Sequence, residues 1–313
     1  MSKTVLLFPG QASQYVGMGK DLYKESDKVR KLYELASDEI GVDIAKLSFA
    51  GPSEELKKTR FTQPAILVHA LSVLTILDDR IPEFDFACGH SLGEYAALAA
   101  VGSLTFADAI KSVVKRASLM EDACQNNPGT MAAIMGLAPE KVIEICEMAT
   151  DNNGVVIPAN YNSKIQIVIS GSVGSVETAV ILAKEAKAKR AMLLEVGGAF
   201  HSPLMESAKI GMEAYLQTVT ISNPQKPIVA NVTAQTVLKA NEIQKLLVQQ
   251  ITSPVKWAQT MSFLVENSVS TVYEIGPGKV LSGLAKREMR PERMINLDTL
   301  EDITKLNQSE SLI

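Results

Sequence analysis

Along most of the chain, short continuous apolar runs alternate with longer stretches of helical period. Thr4–Phe8 and Phe86–Cys88 are continuous apolar runs of strand length, and Ile228–Asn231, Thr271–Ile275 and Met294–Leu297 also read as strands. A strand apolar on both faces is buried on both, so these runs predict a parallel sheet covered by helices on each side. Helices are expected from near Asp21, over Asp27–Glu39, and from Ser53 after the Gly51-Pro52 turn. Another is expected to open at Thr62-Gln63-Pro64-Ala65, with Pro64 in its first turn, and to run through Ile66–Leu77. Further helices are read after Gly93, after Thr105, from Pro203 to about Val219, over Asn241–Ile251 and over Trp257–Asn267.

From Thr130 the texture changes. Met131–Met135, Gly154–Asn160, Ile165–Ser170 and Arg190–Val196 read as strands; Pro139–Ala149 and Ser175–Lys187 read as helices. The order β-α-β-β-α-β is that of a ferredoxin-like split unit. Asn126-Asn127-Pro128-Gly129 and Gly197-Gly198 flank it as linkers. The polar segment Asn307 to Ile313 reads as an unstructured tail.

Composition narrows the function classes. With 313 residues, 46% hydrophobic and 21% charged, the chain can bury a large core, which excludes disorder. A net charge of −4 argues against a nucleic-acid partner, because phosphate binding needs a basic face. Cys88, Cys124 and Cys146 form no Cys-x-x-Cys pair, and Met1-Ser2-Lys3 leads straight into a strand with no signal-peptide core. No apolar run is read as reaching membrane-spanning length. A cytoplasmic protein without a membrane partner or a bound metal is expected.

The candidate chemistry centres on Gly89-His90-Ser91-Leu92-Gly93, between the apolar run Phe86–Cys88 and an alanine-rich helix. Gly-x-Ser-x-Gly in that context is a nucleophile elbow, a tight turn that lifts a serine hydroxyl clear of the sheet. The helix that follows turns its free N–H groups and positive dipole end toward an oxyanion forming at Ser91. The expected class is therefore α/β: an α/β-hydrolase-like large domain (1–128 and 197–306) with a parallel sheet, an inserted ferredoxin-like subdomain (129–196) and a tail (307–313).

Of the three histidines, His201 lies in a glycine-flanked turn just before Ser202-Pro203, a helix-start pair. A helix N-terminus disfavours imidazolium, so His201 is the expected base. His90 adjoins the nucleophile with its side chain expected to point away, leaving it an orienting role; His69 reads as a packed core residue. On the helix after Thr105, Phe106, Ala109, Ile110, Val113, Ala117 and Met120 form an apolar face, and Arg116 stands at its edge. It either snorkels to water or a carboxylate, or faces a cleft where its fork binds a carboxylate bidentately. Gln11, just past the first strand, sits where α/β enzymes place ligand contacts, or is a polar turn residue.

Together these motifs resemble the malonyl-CoA:acyl carrier protein transacylases and the acyltransferase domains of polyketide synthases. The resemblance runs from Phe8 to about Lys286. It rests on Phe8-Pro9-Gly10-Gln11, Thr62-Gln63-Pro64-Ala65, Gly89-His90-Ser91-Leu92-Gly93-Glu94, Arg116, Ala199-Phe200-His201-Ser202, Pro254-Val255-Lys256-Trp257 and Glu274-Ile275-Gly276-Pro277-Gly278. It implies a Ser91–His201 dyad without a carboxylate third member, His201 being steered by the backbone carbonyl of Gln250. It implies an oxyanion hole from the backbone N–H groups of Gln11 and Leu92. Arg116 would pair with the malonyl carboxylate, and Phe200, Gln63 and Asn160 would also contact substrate. A ring at Phe200 leaves little room for a branch methyl, as in malonyl rather than methylmalonyl enzymes. The implied reaction is ping-pong: malonyl-CoA loads Ser91, then the phosphopantetheine thiol of an acyl carrier protein takes the malonyl group. No cofactor is implied, and a monomer is expected.

Three departures stand out: Ala12 and Ala117 occupy usual glycine positions, and Asn162-Ser163-Lys164-Ile165-Gln166 lacks the common Pro-Gly. The altered loop, with the acidic Asp298-Thr299-Leu300-Glu301-Asp302, favours a free-standing acyltransferase of a polyketide assembly line over a fatty-acid-synthesis enzyme. The competing class is an acyl-editing hydrolase of the same fold, which would release acyl groups to water and would not need Arg116.

Overall fold

The computed structural model describes residues 2–152 and 154–310. Its larger sheet has six strands: β1 (Lys3–Phe8), β2 (Phe86–Gly89), β7 (Ile228–Val229), β8 (Thr236–Val237), β9 (Val269–Ile275) and β10 (Arg293–Leu297). The order is β10-β9-β1-β2-β7-β8, parallel except for β8, which runs antiparallel to β7. Consecutive positions of β1 belong to opposite cores: Leu6 and Phe8 pack in one cluster, Val5 and Leu7 in the other. The continuous apolar run is thus a strand covered on both faces.

The second sheet has four antiparallel strands in the order β4-β5-β3-β6: β3 (Gly129–Met135), β4 (Val156–Ser163), β5 (Gln166–Ser172) and β6 (Arg190–Leu193). The period of two sorts its side chains. Ala132, Ile134, Ile167 and Ile169 pack beneath the helices Pro139–Ala149 and Val173–Glu185. Met131 and Val168, on the other face, join the core of the larger unit, and Met131, Ala133 and Val168 line the central cavity. The small sheet is therefore one wall of the site.

Several expected boundaries move. The helix expected to open at Thr62 begins at Thr59 and ends at Leu77, placing Pro64 inside it as its sixth residue. Thr59 and Phe61 are already buried, so packing extends the helix past the point where proline suggested a start. Contrary to the sequence reading, the span Thr59–Arg80 is long and apolar enough to cross a membrane, but 83% of its apolar window is buried inside the fold. It is the central core helix.

Residues 307–310, expected in a tail, belong to the helix Leu300–Glu310; 311–313 lie outside the described residues. Ile303 and Leu306, one helical turn apart, are buried. Thr299 and Asp302 cap the helix reciprocally, Asp302 N–H to Thr299 Oγ1 at 3.2 Å and Thr299 N–H to Asp302 Oδ2 at 2.9 Å. The acidic run is thus largely an internal capping device, and lends no support to a polyketide carrier.

The elbow depends on two missing side chains. A Cβ on Gly93 would lie 2.2 Å from the carbonyl oxygen of Phe8, and one on Gly89 would lie 2.0 Å from the carbonyl of Gly93. Both obstacles are backbone and cannot swing away. Gly93→Ala is expected to destabilise the fold by about 3 kcal/mol. The melting temperature should fall on the order of 5–10 °C in a thermal scan; an unchanged value would contradict the close approach.

Candidate active site

Ser91 sits at the elbow with φ 53, a conformation that puts a non-glycine residue in the left-handed region and exposes its hydroxyl. His201, also left-handed at φ 57, follows Phe200 and precedes Ser202, whose hydroxyl accepts from Leu204 N–H. The chain thus brings Ser91 Oγ and His201 Nε2 to 2.8 Å across 110 positions of sequence. His201 Nδ1–H donates to the carbonyl of Gln250 at 2.8 Å. That bond puts the proton on Nδ1 and leaves the Nε2 lone pair for the serine hydroxyl. Burial, and then the charge of Arg116, push the His201 pKa down to about 3. The imidazole is therefore neutral at every pH where the enzyme would work.

Arg116 is fully buried, on the helix Phe106–Asn126. It does not snorkel. Nη1 donates to Gln63 Oε1 at 2.5 Å, and Nη2 donates both to Ser91 Oγ at 2.9 Å and to Gln250 Oε1 at 3.0 Å. Its Nε–H is buried without a hydrogen-bond partner, and among the described residues Arg116 makes no ion pair. Glu94 acts on the guanidinium only through space, without an ion-pair contact. A buried guanidinium that no carboxylate touches among the described residues, beside a serine–histidine pair, suits an incoming carboxylate.

Glu94 and Asn231 complete the framework, and neither was anticipated. Glu94 Oε2 accepts from Gln250 Nε2 at 2.8 Å and from Asn231 N–H at 3.1 Å. Asn231 Oδ1 accepts from Ser91 N–H at 2.7 Å, and its Nδ2 donates to the Gly89 carbonyl at 2.6 Å. Gln250 therefore carries four loads: its carbonyl holds His201, its Oε1 holds Arg116, and its Nε2 donates both to Glu94 and to the Ser91 carbonyl at 3.1 Å. Burial raises the Glu94 pKa to about 7, against the opposing pull of its bonds from Gln250 and Asn231. Glu94 offered two sequence signals, its place at the end of the Gly89–Glu94 motif and its acidity in the first turn of an otherwise apolar helix. Asn231, at the end of a short strand, offered none.

The two groups can be separated kinetically. In Glu94→Gln, which removes the active-site carboxyl raised to near neutrality, kcat/KM for the acyl donor is expected to stay flat from about pH 8 to about pH 5. His201 keeps its base form throughout that range because its pKa lies at about 3. A tenfold fall per unit below about pH 6.5 would mean an ordinary histidine and contradict the geometry.

The dyad opens on a cavity of about 530 Å³ whose lining includes Gln11, Gln63, Met120, Asn160, Phe200 and Leu194. Gln11 is just past β1, and its loop packs on the elbow: a Cβ on Gly10 would lie 2.5 Å from the His90 carbonyl oxygen. Leu92 immediately precedes the helix Gly93–Ala100, with its side chain buried in the core, so only its backbone bears on the site. Asn160, on β4, has a buried Oδ1 without a hydrogen-bond partner. His90 turns from the dyad, donating to Asn162 Oδ1 at 2.9 Å with its ring 5.3 Å from Trp257. His69 lies outside the site, against Asp298. Among the described residues no cluster of three or more His, Cys, Asp or Glu could hold a metal ion.

The family model described as "Acyl transferase domain" matches residues 5–301. A malonyl CoA-acyl carrier protein transacylase of Bacillus subtilis is 41% identical over 97% of this chain and 96% of its own length. One of Staphylococcus aureus is 39% identical over 99% of this chain and 100% of its own. Among solved structures, an acyl-carrier-protein-S-malonyltransferase of Bartonella henselae superposes with a TM-score of 0.93 at 37% identity, covering 99% of each chain. A malonyl-transacylase in complex with its type II PKS acyl-carrier protein gives 0.91 at 36%, covering 98% of this chain and 100% of that one. Matched over nearly its whole length, and similar to these proteins across theirs, this chain belongs to the acyl transferase domain family and is an acyltransferase.

Proposed function

We propose that this enzyme transfers a malonyl group from malonyl-CoA to the phosphopantetheine thiol of an acyl carrier protein. The observation that carries the reading is Arg116: fully buried, without an ion pair among the described residues, and 2.9 Å from Ser91 Oγ. The names of the relatives support the substrates, and the carrier bound to one structural neighbour supports the acceptor.

In the first half-reaction Ser91 Oγ attacks the thioester carbonyl as His201 Nε2 takes its proton. The backbone N–H groups of Gln11 and Leu92 receive the tetrahedral oxyanion. The C–S bond then breaks, and the CoA sulfur leaves with the proton held by His201. In the second half His201 takes the proton of the carrier thiol. The thiolate attacks the malonyl-serine ester, and Ser91 recovers its proton from His201. Both halves balance without a cofactor. Arg116 grips the malonyl carboxylate, with Gln63 and Asn160 as polar contacts, and Phe200 crowds the carbon that would bear a branch methyl.

The proposal carries with it an α/β-hydrolase-like catalytic domain (1–128 and 197–306) and a ferredoxin-like insert (129–196), supported by the parallel sheet with its elbow and by the βαββαβ order. It also takes the enzyme as a cytoplasmic monomer. The alternative, an editing hydrolase, leaves Arg116 without purpose. CoA release from malonyl-CoA separates the two. A transferase gives a burst of about one CoA per enzyme, with turnover only when holo carrier protein is added. Sustained release of free malonate, unaffected by carrier, would establish the hydrolase instead.

A further inference from the structure

The loop between β1 and the helix Lys20–Glu25 bears Gln11 and contains a conformational conflict. Ala12, one residue on, has φ 79, where a Cβ is unfavourable. Such a conformation persists only when its surroundings over-determine it. Two side-chain bonds lie within the loop and move with it: Ala12 N–H to Gln14 Oε1 at 2.8 Å and Ser13 Oγ to the Gly10 carbonyl at 2.7 Å. They give the loop a shape but do not fix its place.

From outside, Gly10 packs on the elbow and Gly17 N–H donates to the Ser48 carbonyl at 2.7 Å, while the side-chain restraint converges on Asp298. Tyr15 OH, from the loop, donates to Asp298 Oδ1 at 3.0 Å, and Gly278 N–H donates to Asp298 Oδ2 at 3.0 Å. Gly278 in turn packs on the loop, where an added Cβ would lie 3.2 Å from the Ser13 carbonyl oxygen. Asp298 is itself held from behind. The fully buried His69 places Nε2 3.0 Å from Asp298 Oδ1 and 2.9 Å from its carbonyl oxygen, so Nε2 carries the proton. Burial alone would raise the Asp298 pKa, but the bond and charge of His69, with Gly278 N–H and Tyr15 OH, outweigh it and hold the group below its usual range. The anchor is a carboxylate with acceptors facing three partners.

We propose that Asp298, fixed by His69, is a positioning residue for the acyl transfer: it ties Tyr15 and Gly278 together and so holds the strained loop with the Gln11 N–H aimed at the reacting carbonyl. This rests on the oxyanion role given to Gln11 above. The carboxylate of Asp298 touches no substrate; its effect reaches the reaction through the loop.

The test is steady-state malonyl transfer by Asp298→Asn, Tyr15→Phe and the double variant Asp298→Asn/Ala12→Gly, with melting curves alongside. Asp298→Asn is expected to lower kcat about 10–100-fold while leaving KM for malonyl-CoA within about twofold, because the lost interaction belongs to the transition state. Tyr15→Phe, which deletes one hydroxyl, should lose about 3–10-fold and carries the test if Asp298→Asn does not fold. Ala12→Gly should restore at least about threefold of the loss in the double variant, since glycine adopts a positive φ without penalty. A lowered melting temperature with unchanged kcat, a change confined to KM, or no rescue by glycine would each overturn the proposal. Wild-type enzyme that fails to load malonyl would instead fault the transfer reading; wild-type loading with unaffected variants faults Asp298 alone.

Discussion

Arg116→Ala is expected to lower the ratio of malonyl to acetyl loading by about 10²–10³-fold. The guanidinium is fully buried and lacks an ion pair among the described residues, so a substrate carboxylate would be its counter-ion. Removing one partner of such a buried pair costs about 3–5 kcal/mol, which sets the size of the malonyl loss. The relative favouring of acetyl has a separate cause. With an acetyl donor the wild-type guanidinium must stay buried and unpaired, and sites built around a buried polar group reject analogues that cannot satisfy it. Because Nη2 also donates to Ser91 Oγ, the substitution should slow both donors somewhat. The ratio, read from CoA release with each donor, is therefore the quantity to measure. An unchanged ratio would take the carboxylate away from Arg116.

His201→Ala should reduce the rate of CoA release from malonyl-CoA by about 10³–10⁴-fold, as should Ser91→Ala, which can form no malonyl ester and leaves only direct hydrolysis, and the double variant should be no worse than either. The non-additivity follows from the geometry: Ser91 Oγ and His201 Nε2, 2.8 Å apart, act as one device, and losing either end disables it. Removing His201 also frees the Gln250 carbonyl, but Gln250 keeps its side-chain bonds to Arg116 and Glu94. Malonyl-CoA affinity should therefore survive in His201→Ala, as isothermal titration can check. Two substitutions whose losses multiply would mean that Ser91 and His201 work independently.

What the sequence disclosed was mostly local. The elbow is written in five consecutive residues, and its glycines are demanded by backbone contacts within that turn and with β1. The turn at His201 is equally local, as is the helix cap at Thr105, whose hydroxyl accepts from Asp108 N–H. Arg116 stood out as a charge at the edge of an apolar face, but the residues alone left it between solvent and cleft; family resemblance favoured the cleft, and its distances agree. Glu94 and Asn231 were missed because their meaning lies in each other, 137 positions apart. The bond between Tyr15 and Asp298 spans 283 positions and is invisible for the same reason. The C-terminal helix is hard to read locally: polar Asn307 and Gln308 suggest a tail, while the buried Ile303–Leu306 pair and the Thr299–Asp302 capping box hold the segment helical. Pro64 misled in the opposite direction, a strong local signal overridden by the burial of Thr59 and Phe61.

The central claim is that Ser91 carries the malonyl group between two thiols, and intact-mass spectrometry tests it most directly. The protein would be mixed with malonyl-CoA, then with holo acyl carrier protein, with Ser91→Ala treated in parallel. The expected result is a single malonyl adduct on the wild-type enzyme, absent from Ser91→Ala, that leaves the enzyme and appears on the carrier. An adduct that persists in Ser91→Ala, or one lost to water with none reaching the carrier, would contradict it.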